Sequence, residues 1–431
     1  MKISPARIAA FEILSKIENE EAFSSELLPL YENNLSDNDR SLCHNLTLGV
    51  LRKQILIDRI LDHFVGGKRI DSAIRIILRL GIYQLLFLSK VPDYSAVNES
   101  VNLAQYAKKT SAKSLVNAVL RRVTRETYVP DFVDEIDRIS VETSHPRWLI
   151  ERWISRVGVA DTEKLAIANN EIPATAFRLT SESNKSKRFE GSVASEYVDG
   201  CFVSRGGTVE LLDAAEAGEI YFQDEGSQMV AGAVELKQNA AFLDLCAAPG
   251  SKFTQIVERS ASTSRMFVAG DLHARRVGFL RENCKNQRLN NLNILQYDAE
   301  SSVPFADESF DTILIDAPCS GTGTIRHNPE IRYSLEQTDF AELAKKQLSL
   351  LENASKLLRT GGNLIYSTCS LESEENEHVC DEFLAKSPEF IKAKPKVPGR
   401  FLDADGFART LPYRDNMDGF FIASFEKIRP A

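Results

Sequence analysis

Long uninterrupted apolar runs are missing from this 431-residue chain. The best candidate, Ile74 to Leu88, is broken by Arg75, Arg79 and Gln84, which excludes a bilayer-spanning helix there, so no membrane partner is expected. The seven cysteines are an odd number, widely spread, and form no CxxC pair. That pattern argues against a disulfide framework and against a zinc site; no metal is expected, and a reducing cytoplasm fits best. A cleavable leader is not expected either, because Met1-Lys2-Ile3-Ser4-Pro5 runs into an amphipathic pattern. Internal repeats and low-complexity tracts are absent. Neither common phosphate-binding signature is present. A dinucleotide fingerprint needs three spaced glycines where only Gly250 stands. A P-loop needs glycine at Cys246 and at Ser251, and a Ser or Thr at Phe253. Excess positive charge is lacking too: the net charge is −9, which does not by itself imply a nucleic-acid partner.

The charge is unevenly placed. Residues 1–125 hold 18 Lys and Arg against 13 Asp and Glu, a balance of +5, which leaves −14 for the remainder. A basic first third on an acidic body points to a localised anion-binding face, with an ordinary solvated helix surface as the plain alternative. At 43% hydrophobic residues the chain can bury large cores, and its length favours two or three domains.

Residues 1–128 read as all helix. Ser4-Pro5 is a cap followed by proline at the first helical position, with Ile8, Phe11, Leu14 and Ile17 at helical spacing. Further helices are expected from Ser36-Asp37-Asn38-Asp39, over Asp71 to Leu88, and over Ala112 to Arg125. The cluster Arg121, Arg122 and Arg125 either suits the negative end of that last helix or contacts RNA backbone. Residues 129–232 read as a small α+β linker domain. Trp148, Leu149, Ile150 and Trp153 mark a short helix, Phe177–Thr180 and Val193–Val203 mark strands, and Ser181–Ser192 marks a loop. From 233 to 431 the pattern becomes α/β, with strands over Ala241–Leu245, Met266–Ala269, Leu292–Gln296, Thr312–Ile315 and Asn363–Tyr366. Alternating strands and helices imply a parallel sheet with helices on both faces.

Ligands of such sheets bind beyond the carboxyl ends of the strands. The first strand runs into Cys246-Ala247-Ala248-Pro249-Gly250-Ser251-Lys252, small residues that let backbone pass close to a ligand. A carboxylate then follows each of the next three strands: Asp271, Asp298 and Asp316. Asp271 suits two ribose hydroxyls, Asp298 an adenine amino group, and Asp316 the place where cofactor and substrate meet. Singly each reads equally well as a helix cap; together they point to a nucleoside ligand. Cys319, in Asp316-Ala317-Pro318-Cys319, and Cys369, in Tyr366-Ser367-Thr368-Cys369-Ser370, follow the fourth and fifth strands, which are neighbours in a doubly wound sheet. Two thiols facing one cleft suit covalent activation of a pyrimidine, whose C5 becomes nucleophilic once a thiolate adds to C6. Cys43, Cys201, Cys284 and Cys380 read as buried small hydrophobes.

These segments, together with Asp316 to Gly323 and Asp418-Gly419-Phe420-Phe421, closely resemble the Sun/Fmu family of RNA cytosine-5 methyltransferases. One departure is Gly250-Ser251-Lys252-Phe253, where the family usually has Gly-Gly-Lys-Thr. Leu48-Gly49-Val50-Leu51-Arg52, Leu80-Gly81-Ile82-Tyr83-Gln84-Leu85-Leu86 and Val116 to Arg121 resemble a NusB antitermination domain. Phe177-Arg178 and Phe222 to Gln228 resemble the family's linker domain. The resemblance implies a multidomain chain: a NusB-like RNA-binding domain (1–128), the linker domain (129–232), and a Rossmann-like class I methyltransferase (233–431). It implies S-adenosyl-L-methionine as cofactor and 16S rRNA, not DNA, as partner, with cytosine 967 as the target. It also implies Cys369 as nucleophile, Cys319 as the group that releases product, Asp316 as holder of the base and Lys252 as a contact to base or cofactor. If residues 1–125 grip phosphates, RNA binding measured from 50 to 200 mM salt falls steeply, by about tenfold or more; a flat response would remove that role.

Overall fold

The computed structural model describes residues 3–20, 22–181, 189–204, 206, 208–260, 265–301 and 303–429. Their contacts group the chain into two units: residues 1–171 with 325–334, and residues 172–324 with 335–431.

The first unit is helical. It contains α1 (Pro5–Glu20), α2 (Ser24–Glu32), α3 (Asp37–Arg52), α4 (Gln54–Val65), α5 (Ser72–Phe87), α6 (Asp93–Tyr106), α7 (Lys113–Val123), α8 (Glu135–Thr143) and α9 (Arg147–Ala168). The caps are those the sequence signals. Ser36 accepts from the Asp39 amide at the start of α3, and Asp71 accepts from the Ala73 amide at the start of α5, each removing one unpaired helix-end donor. Helix α5 is the buried centre. Its polar residues are satisfied within protein, Arg79 by Asp58 and Glu18, Gln84 by Arg7. No helix among the described residues is long and apolar enough to cross a membrane. Gly49 permits a close helix crossing, since a Cβ there would lie 2.0 Å from the Tyr83 ring. Arg122 pairs with Glu126 and donates to the Phe64 carbonyl, while Arg121 donates to Asn117, so these two arginines have partners in their own unit.

The domain boundary expected at 128 is not where contacts divide: α8 packs on α4 and α9 on α8. Residues 325–334, distant in sequence, also belong to this unit. Glu330 accepts from the amide and hydroxyl of Ser24. The fully buried Arg332 donates to the carbonyls of Thr143, Ser144 and Asn169 and to Asn170 Oδ1, and Tyr333 donates to the Leu51 carbonyl.

The second unit has two sheets. The smaller is antiparallel in order β2-β3-β1-β4, from β1 (Thr175–Leu179), β2 (Ser192–Ala194), β3 (Cys201–Ser204) and β4 (Ile220–Phe222). The strand expected over Val193–Val203 is thus two strands of a hairpin, and most of the loop expected over Ser181–Ser192 lies outside the described residues. The larger sheet comprises β5 (Ala241–Asp244), β6 (Met266–Asp271), β7 (Leu292–Gln296), β8 (Phe310–Asp316), β9 (Leu358–Thr368), β10 (Phe390–Ala393), β11 (Ala408–Arg409) and β12 (Phe421–Lys427). Its order is β10-β12-β9-β8-β5-β6-β7, with β11 on β12. The five strands read from the sequence, β5 to β9, are parallel. β12 runs antiparallel beside β9, and β10 and β11 pair antiparallel with β12, so the whole sheet is mixed; no crossover helix announces this edge. Residues 172–232 of the linker join the catalytic segment in one unit: Arg178 of β1 is buried, donates to Thr254 Oγ1 (2.8 Å) and Gln287 Oε1 (2.7 Å), and pairs with Glu258. After α10 (Thr208–Glu216) and α11 (Glu225–Ala233), the small sheet is thereby joined to helices α12 (Ser251–Ser260) and α13 (Ala274–Asn286).

In the first unit His145 is fully buried beside Arg332, and burial followed by that positive charge pushes its pKa well below the ordinary 6.5. The unfolded chain therefore binds a proton that the folded unit refuses. Stability present above pH 6.5 is lost as pH falls below it, with a slope of about 1.4 kcal/mol per pH unit. Urea unfolding between pH 7.5 and 5, followed by exchange of α8 and α9 amides, should show this slope, and His145→Gln should flatten it.

Candidate active site

Strands β5, β6 and β8 each end on a carboxylate: Asp244, Asp271 and Asp316. Asp244 is fully buried and neither oxygen reaches a hydrogen-bond partner of good geometry. Burial, then the nearby Asp316, pushes its pKa well above the carboxylate range. A buried carboxyl without a partner is costly unless a ligand completes it. The sequence reading holds Asp244 inside the strand Ala241–Leu245 and gives it no role; its position as the last residue of β5 is the signal that could have found it.

Residues Leu245 to Gly250 form the turn from β5 into α12. Its backbone rests on β6, with the Ala247 amide donating to the Gly270 carbonyl, and α13 clamps it from Arg276 to the Ala248 carbonyl and from Asn283 to the Pro249 carbonyl. Gly250 has φ +108°. Ser251 begins α12 and is not among the residues of positive φ, so serine in place of the family glycine meets no backbone strain. Asp271 is buried, accepts from the His273 amide and lies 3.5 Å from Arg276. Asp298 is exposed, and its oxygens accept from the Glu300 amide and the Ser301 hydroxyl in a turn, not as the helix cap weighed as the plain alternative. The Cys246–Lys252 loop, Asp271 and the partnerless Asp244 fit an adenosyl amino-acid ligand: small residues for close approach, carboxylates for hydroxyl and ammonium donors.

Parallel pairing sets Asp316 opposite Ser367 on β9. Ser367 Oγ donates to Asp316 Oδ1 at 2.9 Å, and Lys252 Nζ donates to Oδ2 at 2.7 Å. Burial lowers the Lys252 pKa, but the Asp316 carboxylate outweighs it and the net shift is upward; Cys369 adds to the same effect. The ammonium also sits over the Phe420 ring, 5.0 Å from its centroid. Three residues beyond Asp316 and two beyond Ser367, Cys319 Sγ and Cys369 Sγ lie 3.3 Å apart, both partly exposed. Hydrogen bonding with Cys369, then burial, pushes the Cys319 thiol well above its ordinary pKa, so it is held protonated at neutral pH. Cys43, Cys201, Cys284 and Cys380 are buried and free; none joins this pair.

The closing motif Asp418 to Phe421 packs on the same loops. Gly419 donates from its amide to the Gly323 carbonyl, and Gly323 donates to the Cys369 carbonyl. A Cβ on Gly323 would lie 2.1 Å from the Gly419 oxygen and 2.8 Å from the Cys369 oxygen. That three-way backbone contact requires glycine.

Comparison with known proteins identifies the family. Residues 231–426 match the family described as 16S rRNA methyltransferase RsmB/F, and residues 4–125 match the NusB family. A probable ribosomal RNA small subunit methyltransferase B of Bacillus subtilis is 33% identical over 99% of this chain and 100% of its own length. The ribosomal RNA small subunit methyltransferase B of Pseudomonas putida is 32% identical over 98% of each. Among solved structures, PH0851 superposes with a TM-score of 0.84 at 26% identity over 99% of this chain and 100% of its own. NSun6 from Pyrococcus horikoshii, solved with SFG, shares the fold at 20% identity and a TM-score of 0.57, over 66% of this chain and 99% of its own. With a relative more than 30% identical along its whole length, this chain belongs to the RsmB family of S-adenosylmethionine-dependent ribosomal RNA small subunit methyltransferases.

Proposed function

We propose that the chain methylates C5 of a cytosine in 16S rRNA through a covalent bond between Cys369 and C6 of that base. The observation that carries this reading is the pair of thiols 3.3 Å apart at the ends of neighbouring strands, beside a carboxylate held by a lysine. In the family resemblance the target is cytosine 967, and the basic residues 1–125 contact RNA backbone while the base leaves its stack to enter the site. We retain the division at 128 and 232 as one of functional segments: RNA-binding helices, linker and catalytic body.

Cys369 Sγ forms the bond to C6, and the electron pair released from the C5–C6 double bond makes C5 nucleophilic. Asp316 accepts from the exocyclic amine of the base, and from N3 once that nitrogen is protonated as the adduct forms, its own orientation fixed by Ser367 and Lys252. S-adenosylmethionine, when bound, supplies the methyl group that C5 accepts. Cys246 to Lys252, Asp271, Asp298 and Asp316 are the residues that would hold it. Release then requires C5 to lose its proton, the bonding pair to restore the double bond, and the C6–S bond to break with its pair on Cys369. Cys319 stands beside the bond that must break; resting as a thiol, it first gives its own proton to solvent and then, as thiolate, takes the C5 proton.

Cys369→Ala should abolish methyl transfer to unmodified 16S rRNA, whereas Cys319→Ala should accumulate a protein–RNA adduct that survives a denaturing gel. An adduct on Cys369→Ala instead would reverse the two roles. Asp271→Ala should weaken S-adenosylmethionine binding in calorimetry by about tenfold or more, the size of a lost charged hydrogen bond; unchanged binding would remove Asp271 from the cofactor site.

A further inference from the structure

Directly beyond the two cysteines, the loops that carry them are joined by one buried carboxylate. Glu375, fully buried, lies in the turn after β9. Its Oε2 accepts from the Ser320 amide at 2.8 Å and from Gln347 Nε2 at 3.0 Å. Its Oε1 accepts from the hydroxyls of Ser320 and Ser370, which are themselves 3.1 Å apart. Ser320 follows Cys319 and Ser370 follows Cys369. The remaining groups of the turn are also occupied. Gln347 Nε2 reaches the Pro318 carbonyl, Tyr366 donates to the Glu375 carbonyl, and Asn376 donates to the Ser370 carbonyl. The Ser320 amide and Gln347 Nε2 can only donate, so Oε2 must accept, while the two hydroxyls on Oε1 can serve either role. Burial raises the carboxyl pKa above its ordinary value, against the lowering effect of these hydrogen bonds.

We propose that Glu375 is a positioning residue for the two-cysteine chemistry: it locks the Cys319 loop to the Cys369 loop and so sets the separation of the two sulfurs. The inference rests on the reading that both thiols act on one base. Attack by Cys369 needs one sulfur correctly placed. Release needs both, because the C5 proton must reach a base on the Cys319 side while the C6–S bond to Cys369 breaks. Loosening the lock therefore impairs release more than adduct formation. No residue bonded to Glu375 in this network is itself one of the reacting sulfurs, and none carries a countercharge, so the carboxylate acts through Ser320, Ser370 and Gln347.

Glu375→Gln preserves size but turns an amide N–H₂ toward donors. In the full chain with unmodified 16S rRNA and S-adenosylmethionine, it should lower turnover by about tenfold or more, as for a mispaired buried charged group. The KM for the cofactor should stay unchanged, and a gel-resistant adduct absent from the unsubstituted protein should accumulate. Ser320→Ala, which keeps the Ser320 amide bond, should shift the same readouts in the same direction but less. A second measurement needs no RNA: diamide takes up two hydrogens as it joins Cys319 to Cys369, and the linked peptide is followed by mass spectrometry. Linking should be slower in Glu375→Gln, and this result would support the positioning role even if neither Cys319→Ala nor the unsubstituted protein formed any adduct. If Glu375→Gln fails to fold, Ser320→Ala decides. Unchanged linking rate and unchanged adduct partition in a folded variant would overturn the proposal.

Discussion

The parallel pairing of β8 with β9 sets Asp316 opposite Ser367, and the rest of the site is measured from that register. Because the two strands run the same way, the loops that leave them emerge side by side at one edge of the sheet. The first sulfur stands three residues past Asp316 and the second two residues past Ser367. A slip of one residue in either strand would turn the side chains to the opposite face and separate the thiols. The Ser367 hydrogen bond to Asp316 is the side-chain counterpart of the same register.

Electrostatics then divide the labour within this edge. Lys252 comes from α12, the helix that follows β5, and places a buried positive charge against Asp316. A buried ion pair of this kind is poor evidence of stability, since removing two charges from water costs about as much as their attraction returns. Its value is orientation: it leaves one carboxylate with both oxygens assigned. Asp244, one strand away, has the opposite character, a buried carboxyl with no partner of good geometry. The neighbouring strand ends of β8 and β5 thus carry one paired and one unpaired acid.

Much of the fold was legible from the order of residues. Helix starts at Ser36 and Asp71 follow from capping chemistry, and the five parallel strands from short apolar runs between helical stretches. Helix Ser24–Glu32 was less legible because Pro29 lies inside it; Gln54–Val65 and Asp93–Tyr106 are amphipathic helices that were not separately assigned. Strands β10 and β12 were missed, since an antiparallel edge carries no crossover helix to announce it. Glu375 is one of two fully buried acids after Cys369; its hydrogen bonds to both cysteine loops, visible only in the packed structure, distinguish it. The membership of residues 325–334 in the helical unit depends on Arg332 and Glu330 meeting partners more than 150 residues away, beyond the reach of any local pattern.

The sequence by itself determined which residue types stand at the strand ends, and from them the chemistry proposed: small residues and carboxylates for a nucleoside, two cysteines for covalent work on a base. Those identities depend on local chemistry and short spacing. The tertiary structure alone decided which groups meet: that the sulfurs stand 3.3 Å apart, that Lys252 joins Asp316, that one glutamate binds both cysteine loops, and that the linker strands pack with the catalytic sheet. Such contacts arise from strand order and register, which are properties of the whole packed sheet and are not encoded at any single position.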